Sequence, residues 1–418
     1  LNKSLLADNI RAFALRPRTL LVVYIGAALF AAIQLYALGI YPYVIPTDLD
    51  PGDMINHAEK LNLFVGKQLT FYNNYLIFKY SFFHLINGTN LYDLHPGEHW
   101  DYYKYSPSFA VLMGPLAYLP DVPGLCVWNI LNALAVFMAI RLLPFTTKTQ
   151  CLLLWFVAVE LLTCMQNVQS NGLMCGLMIG AYGCMQHKKL LWATLWIVLA
   201  TYIKVYGAIA FCLFLFYPGK VKFILYALFW AIVLGALPLL FTPFHTLIWQ
   251  YQNWAQLMMN DVASAVGLSV SGVLGTWLGF HPGMKWITLV GIVIFLVPFA
   301  RFRLYGNDMY RLLILASMLI WVIIFNHKAE SPTYIIAVAG AGIWYFVMPK
   351  AMWRTALIWS VFIFTSLCVS DLFPQYVRQH FIYPYKIKAF PCILVWCVII
   401  AELMALKPSL QPEIKADK

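Results

Sequence analysis

Long apolar runs separated by short polar loops make up most of this chain. Runs near 19–40, 124–143, 149–165, 168–186, 189–203, 205–218, 223–241, 286–300, 311–326, 332–348, 353–370 and 389–406 predict a succession of helices. A full bilayer crossing takes roughly 20 apolar residues. Most of the runs therefore read as membrane spans, while 189–203 and 205–218 are short enough to leave the helix count between about 10 and 13. A single long polar stretch, 41–123, interrupts the pattern, and loops of that length usually carry function. Within it Tyr75, Phe78, Phe82 and Leu85 recur at helical spacing, which predicts a helix lying at the membrane interface. Asn87-Gly88-Thr89-Asn90 follows as a turn.

The expected fold is thus an all-α polytopic membrane protein. It reads as one integral membrane domain, 1–418, with 41–123 as its first external loop. No internal repeat is visible, which argues against a transporter built from duplicated halves. Composition strengthens this picture. The chain is 62% hydrophobic and 11% charged, with a mean hydropathy of +0.74, whereas an ordinary soluble domain is about a quarter charged. The first apolar run is too long for a signal-peptide core and reads as a retained anchor.

Charge adds sidedness. Lys3, Arg11, Arg16, Arg18, Arg141, Lys148, Lys188, Lys189, Lys220, Lys222, Arg301, Arg303, Arg311, Lys350, Arg354, Lys407, Lys415 and Lys418 all fall on alternate loops and ends. By the positive-inside rule that set is cytoplasmic, with both termini. The net charge of +11 is thereby explained by topology and anionic headgroups, without a nucleic-acid partner. Nine cysteines, mostly inside spans, show no metal-ligand spacing and read as small core residues. No metal ligand is assigned; Asp48, Asp50 and Asp53 offer oxygen ligands for a divalent cation, but spacing alone supports this weakly.

The opposite face collects the unusual polar residues. Lys204, between two short apolar runs and flanked by Tyr202 and Tyr206, suits the phosphate of a lipid carrier; a lysine at a membrane boundary also simply snorkels to headgroups. Asn167, Gln169 and Asn171 put three carboxamides in five positions, more than a turn or cap requires, and are candidates for sugar or headgroup contact. Asn253, Trp254, Gln256, Asn260 and Asp261, then Ser269 and Ser271, have the amide and aromatic mixture that binds sugars and equally suit an interfacial helix. His327, Lys328 and Glu330 join two apolar runs as a titratable triplet, against the plain alternative of an exposed hairpin. Asp101, among Trp100, Tyr102, Tyr103 and Tyr105, is placed to act as a general base, or to sit in an aromatic belt. Glu160, inside a span, is expected to be protonated or hydrogen-bonded.

At these residues the chain resembles glycosyltransferase family 87, a branch of the GT-C superfamily of polyprenyl-phosphate-sugar-dependent membrane enzymes that includes mycobacterial mannosyltransferases of phosphatidylinositol mannosides. Asn74-Tyr75-Leu76-Ile77-Phe78, Asn90-Leu91-Tyr92, Tyr103-Lys104-Tyr105-Ser106-Pro107-Ser108-Phe109, Leu119-Pro120, Trp128-Asn129, Asn167 to Asn171 and Ile203-Lys204 follow the family's order. The likeness covers about 70 to 330 and is fainter from Glu330 to Thr333. It implies an inverting hexosyltransferase, mannosyl in the first instance, in a bacterial cytoplasmic membrane. The implied donor is a polyprenyl-phosphate sugar, the acceptor a glycolipid or glycan on the outer face, and the donor phosphate site Lys204, with Lys328 and Arg378. No cofactor is implied. The acidic residue that the family uses as catalytic base is Asn74 here, and an amide accepts a proton poorly. Asp101 is the favoured substitute and Glu330 with His327 the second; Asp48, Asp50 or loss of activity are the remaining options. The main rival is a transporter or flippase for a lipid-linked saccharide, which would place polar residues through the bilayer midplane.

Overall fold

The computed structural model describes residues 12–39, 70–260, 267–281 and 283–408. Asp48, Asp50, Asp53, Glu59, Asp261, Lys3, Arg11, Lys415 and Lys418 lie outside them. The principal helices are α1 (Pro17–Leu38), α2 (Asn73–Ile86), α3 (Pro107–Leu112), α4 (Asp121–Arg141), α5 (Thr147–Gln166), α6 (Asn171–Gln186) and α7 (Leu190–Ile203). There follow α8 (Lys220–Ala236), α9 (Phe244–Asn260), α10 (Val270–Leu278), α11 (Met284–Leu296), α12 (Asp308–Ile324), α13 (Tyr334–Val347), α14 (Met352–Val361) and α15 (Phe390–Ala405). No β-strand occurs among the described residues.

Pro17–Leu38, Asp121–Arg141, Thr147–Gln166, Lys220–Leu240 and Ile387–Ala405 are long and apolar enough to cross a membrane. The all-α polytopic membrane architecture expected from the sequence is the one observed. The short run after Lys204 differs from an ordinary span: Val205–Phe216 is a 3₁₀ helix. At about 2.0 Å rise per residue its 12 residues extend roughly 24 Å, against about 18 Å for the same length of α-helix.

Helices α12 and α13 form the centre, with almost every side chain buried, and α5, α6 and α15 pack around them. A second contact chain runs from α1 through α4 to α6 and α7. Small residues allow the α4–α6 approach, since a Cβ on Gly176 would lie 2.6 Å from the Ala135 carbonyl carbon. The helix predicted within the long polar stretch is present as α2. Its stripe of Tyr75, Phe78, Phe82 and Leu85 is buried, against α3 and the turn Gly114–Ala117, so this face is covered by protein.

Glu160 is hydrogen-bonded in the interior, one of the two expectations for it. Its Oε1 accepts from Lys388 Nζ at 2.6 Å, both side chains being fully buried. Lys388, just before the last apolar run, is drawn inward because a carboxylate on α5 would otherwise be an unpaired charge in an apolar interior. At the other end of the bundle, Arg311 donates to the carbonyls of Phe216 and Tyr305, and Arg301 to those of Leu403 and Leu406. These guanidiniums satisfy carbonyls at chain ends that no helical N–H reaches.

Candidate functional site

The turn between α5 and α6 is built on strain. Val168 adopts φ 51°, a left-handed conformation that costs a β-branched residue about 1–2 kcal/mol. The surroundings impose it: the Val168 side chain is fully buried and its carbonyl accepts from Trp128 Nε1 at 3.2 Å. Asn167 ends α5 exposed, its Nδ2 donating to Thr163 O, while Asn171 is buried at the start of α6. Gln169 closes the helix by donating its backbone N–H to Cys164 O.

Lys204 sits between α7 and the 3₁₀ helix, with extended backbone. Its Nζ donates to Asn171 Oδ1 at 2.8 Å, and the Tyr206 hydroxyl donates to the same oxygen at 3.2 Å. The ammonium lies 5.7 Å from the Tyr105 ring centroid and 5.9 Å from that of Tyr206. Burial pushes the Lys204 pKa down to about 8, with the Glu330 carboxylate acting in the opposite direction. Asn171 Nδ2 and Asn253 Nδ2 are both buried without a hydrogen-bond partner in the protein. Such orphaned donors are what a polar ligand would satisfy.

The segment leading to α3 supplies the facing wall. Tyr105 shares a hydrogen bond with Ser170 Oγ at 3.3 Å and accepts from the Tyr92 hydroxyl through its carbonyl. Trp254 of α9 donates to Lys104 O at 3.3 Å, and Gln250 bonds Leu91 N and Thr89 O. Asp101 is half-buried; its Oδ1 accepts from the Tyr102 N–H and lies 3.9 Å from Lys104 Nζ. The Tyr105 phenol is raised in pKa chiefly by burial, and the negative charges of Glu330 and Asp101 add to the effect.

Residues 326–333 are clamped from outside the bundle. Gly267 N donates to His327 O and Leu268 N to Ala329 O, both at 2.9 Å. A Cβ on Gly267 would stand 2.5 Å from the His327 oxygen, so the close approach requires glycine there. Glu330 is exposed, and His327 and Lys328 are half-buried. Beside this loop lies a cavity of about 550 Å³ whose lining includes Tyr206, Lys285, Asn326 and His327. An apolar cavity of about 350 Å³ shares Tyr206, Ile292, Trp321 and Val322 with it, forming a groove between the 3₁₀ helix, α11 and α12.

The fold therefore brings Lys204, Asn171, Tyr105, Glu330 and Asp101 into one region. Other residues singled out in the sequence have structural duties. Asn74 Nδ2 donates to Asn167 O at 2.8 Å, pinning α2 to the α5–α6 turn. Trp254 holds the Lys104 segment, and Ser269 caps α10 by accepting from Gly272 N. Arg378 pairs with Asp371 at 2.9 Å and donates to Val369 O, engaged on its own segment.

Sequence reasoning missed three features. Lys388 and Gln250 find partners more than a hundred positions away, which no local pattern announces. The third is a histidine cluster. Ligand atoms of His84, His95 and Glu98 lie within 4.8 Å of one another, and His99 packs against both imidazoles. Burial lowers the pKa of His84 and takes that of His99 down to about 4, keeping both rings neutral. The signal available was His95-Pro96-Gly97-Glu98-His99 with a histidine eleven positions upstream.

A model of glycosyltransferase family 87 matches residues 103–325, the stretch that runs from the Tyr105 segment through the Asn171 turn and Lys204 to the end of α12. No curated protein matches the chain.

Proposed function

This chain belongs to glycosyltransferase family 87, and from that membership we propose that it moves a hexose, mannose first among candidates, from a polyprenyl-phosphate-sugar donor to a lipid or glycan acceptor. The face bearing Lys204 is the non-cytoplasmic one in this reading, because the loops at the opposite ends of the helices carry most of the lysine and arginine. The observation that carries the donor assignment is Lys204 itself. A half-buried ammonium, steadied by Asn171 and two tyrosine rings, stands next to Tyr206, which also lines the groove between the 3₁₀ helix and α11. A lipid phosphate fits the cation and an isoprenoid tail suits the apolar groove.

In the reaction, Asp101 takes the proton of the acceptor hydroxyl as its oxygen bonds to the anomeric carbon. The bond from that carbon to the phosphate oxygen breaks with inversion, and both electrons leave with polyprenyl phosphate. Lys204 offsets the growing phosphate charge in a site of low dielectric. Glu330 does not contact the reacting atoms; it acts on Lys204 as the nearby carboxylate that keeps the ammonium protonated near neutral pH. His327, at the polar end of the groove, serves the donor headgroup in this reading, with Lys328 next to it in the chain. Gln169, Asn167 and Asn253 line the approach of sugar or acceptor.

The test uses purified protein in lipid with labelled polyprenyl-phosphate mannose and a mixed lipid extract. Label should pass to a new lipid product, and Asp101→Asn should cut turnover by about 10²–10⁴-fold while leaving donor binding intact. Donor binding without turnover, across several polyprenyl-phosphate sugars and acceptors, would instead favour a transporter of lipid-linked saccharide.

A further inference from the structure

The histidine cluster has no part in the transfer reaction proposed above. His84 belongs to the last turn of α2, whereas His95, Glu98 and His99 come from the loop that follows. His84 Nε2 and Glu98 Oε2 are 2.6 Å apart, and the His84 and His95 rings stack with centroids 3.7 Å apart. His95 Nε2 donates to Asn90 O at 3.0 Å, which leaves Nδ1 as its lone-pair nitrogen. A backbone carbonyl bonded to one imidazole nitrogen, leaving the lone pair on the other, is the usual outer support of a metal-bound histidine.

A second observation points the same way. His99 is 3% exposed, its ring centroid is 5.7 Å from that of His95, and its Nδ1 has no hydrogen-bond partner. An imidazole nitrogen that carries no proton offers a lone pair, and Glu98 adds carboxylate oxygens. His99 Nδ1 is the fully buried group here, Glu98 being 35% exposed, and a buried nitrogen without a partner is costly. A cation beside it supplies that partner.

We propose that His84, His95 and Glu98 form a binding site for a divalent transition metal of the zinc class, with His99 packed beside it as a further nitrogen donor. Ligand atoms on arms of about 2.0–2.1 Å stand roughly 3.3 Å apart in a tetrahedral site. The observed atoms all lie within 4.8 Å of one another, close to that spacing. Nitrogen and carboxylate ligands of this kind select zinc-like ions over magnesium or calcium. The ion's role is to clip residues 95–99 to the end of α2. It thereby steadies the segment that continues into Trp100 and Asp101, whose start is otherwise held by the Trp100 N–H bond to Asn73 Oδ1.

The experiment takes the untagged full chain in lipid nanodiscs, strips it with a chelator, reloads it with Zn²⁺ alone and counts bound zinc by elemental analysis. Co²⁺ loading in parallel reads the coordination geometry from its visible spectrum. One zinc per chain is expected, with intense tetrahedral-type cobalt bands. His95→Ala and Glu98→Gln should each weaken zinc binding at least ~10- to 100-fold, the loss that removing even an outer support causes. Both side chains are only partly buried, so the metal-free variants should unfold at the wild-type temperature, which separates ligand loss from misfolding. His281→Ala, elsewhere in the molecule, should change nothing. Absence of zinc from folded wild-type protein, retention of zinc by both ligand variants, or its loss in His281→Ala would each overturn the proposal.

Discussion

Lys204 and Asn171, 33 positions apart in the chain, meet through a 2.8 Å hydrogen bond from the ammonium to the side-chain amide oxygen. That contact fastens the break between α7 and the 3₁₀ helix to the first residue of α6. The amide is polarised by a cation on one side while its own Nδ2 stays free for a ligand.

If Lys204 holds the donor phosphate, Lys204→Met should raise the donor KM or Kd by about 10- to 150-fold, the range for losing a charged hydrogen bond. Acceptor affinity should be unchanged. Donor titration by surface-bound or fluorescent polyprenyl phosphate checks this, and unaltered donor affinity in the variant would move the phosphate elsewhere.

The pH dependence follows from the same lysine. Its pKa, lowered to about 8 chiefly by burial, means that the ammonium is charged below that pH and lost above it. Donor kcat/KM should therefore fall as pH rises through about 8 in the free enzyme. Glu330 raises this pKa, so Glu330→Gln should shift the alkaline limb to lower pH. A limb that stays in place, or moves upward, would mean that another group titrates there.

Asn74 occupies the position where the family resemblance expects an acid, yet its Nδ2 is a hydrogen-bond donor to Asn167 O. Asn74→Asp replaces that donor with a carboxylate facing a carbonyl oxygen. The expected result is a looser α5–α6 turn, a stability loss of about 1–3 kcal/mol and lower turnover. Thermal unfolding and initial rates measured together decide the matter, because a gain in turnover would make residue 74 the base.

The buried pair of Lys388 and Glu160 gives a stability prediction independent of activity. Glu160→Gln should cost about 3–5 kcal/mol, since it strands a buried ammonium. Replacing both residues with Met should recover most of the loss. Apparent unfolding temperatures in nanodiscs provide the comparison, and equal damage in the single and double variants would point to packing as the cause.

The helix inventory was readable from the chain because apolar runs of membrane length have few alternatives. Lipid leaves backbone polar groups nothing to bond except one another, so each run must become a helix, and α1, α4, α5 and α15 begin and end within a few residues of the hydrophobic boundaries. The short runs around Lys204 were located correctly, but the 3₁₀ conformation of the second was not legible. Period and hydropathy do not distinguish a 3₁₀ from an α-helix over 12 residues, whereas packing against α7, with Gly207 against Ala200, does.

What the sequence determined by itself is the class of molecule, the alternation of its loops, and a pool of polar residues too costly to sit near a membrane without partners or purpose. Tertiary structure decided which members of that pool meet. Asn171 reaches Lys204, Asn74 is taken up by Asn167 O, Glu160 finds Lys388, and His84 joins His95 and Glu98. Hydrophobic burial depends on area and pattern, both of which are written locally along a chain. Hydrogen bonds and ion pairs are short-ranged and directional, so their partners are set only when helices distant in sequence have packed.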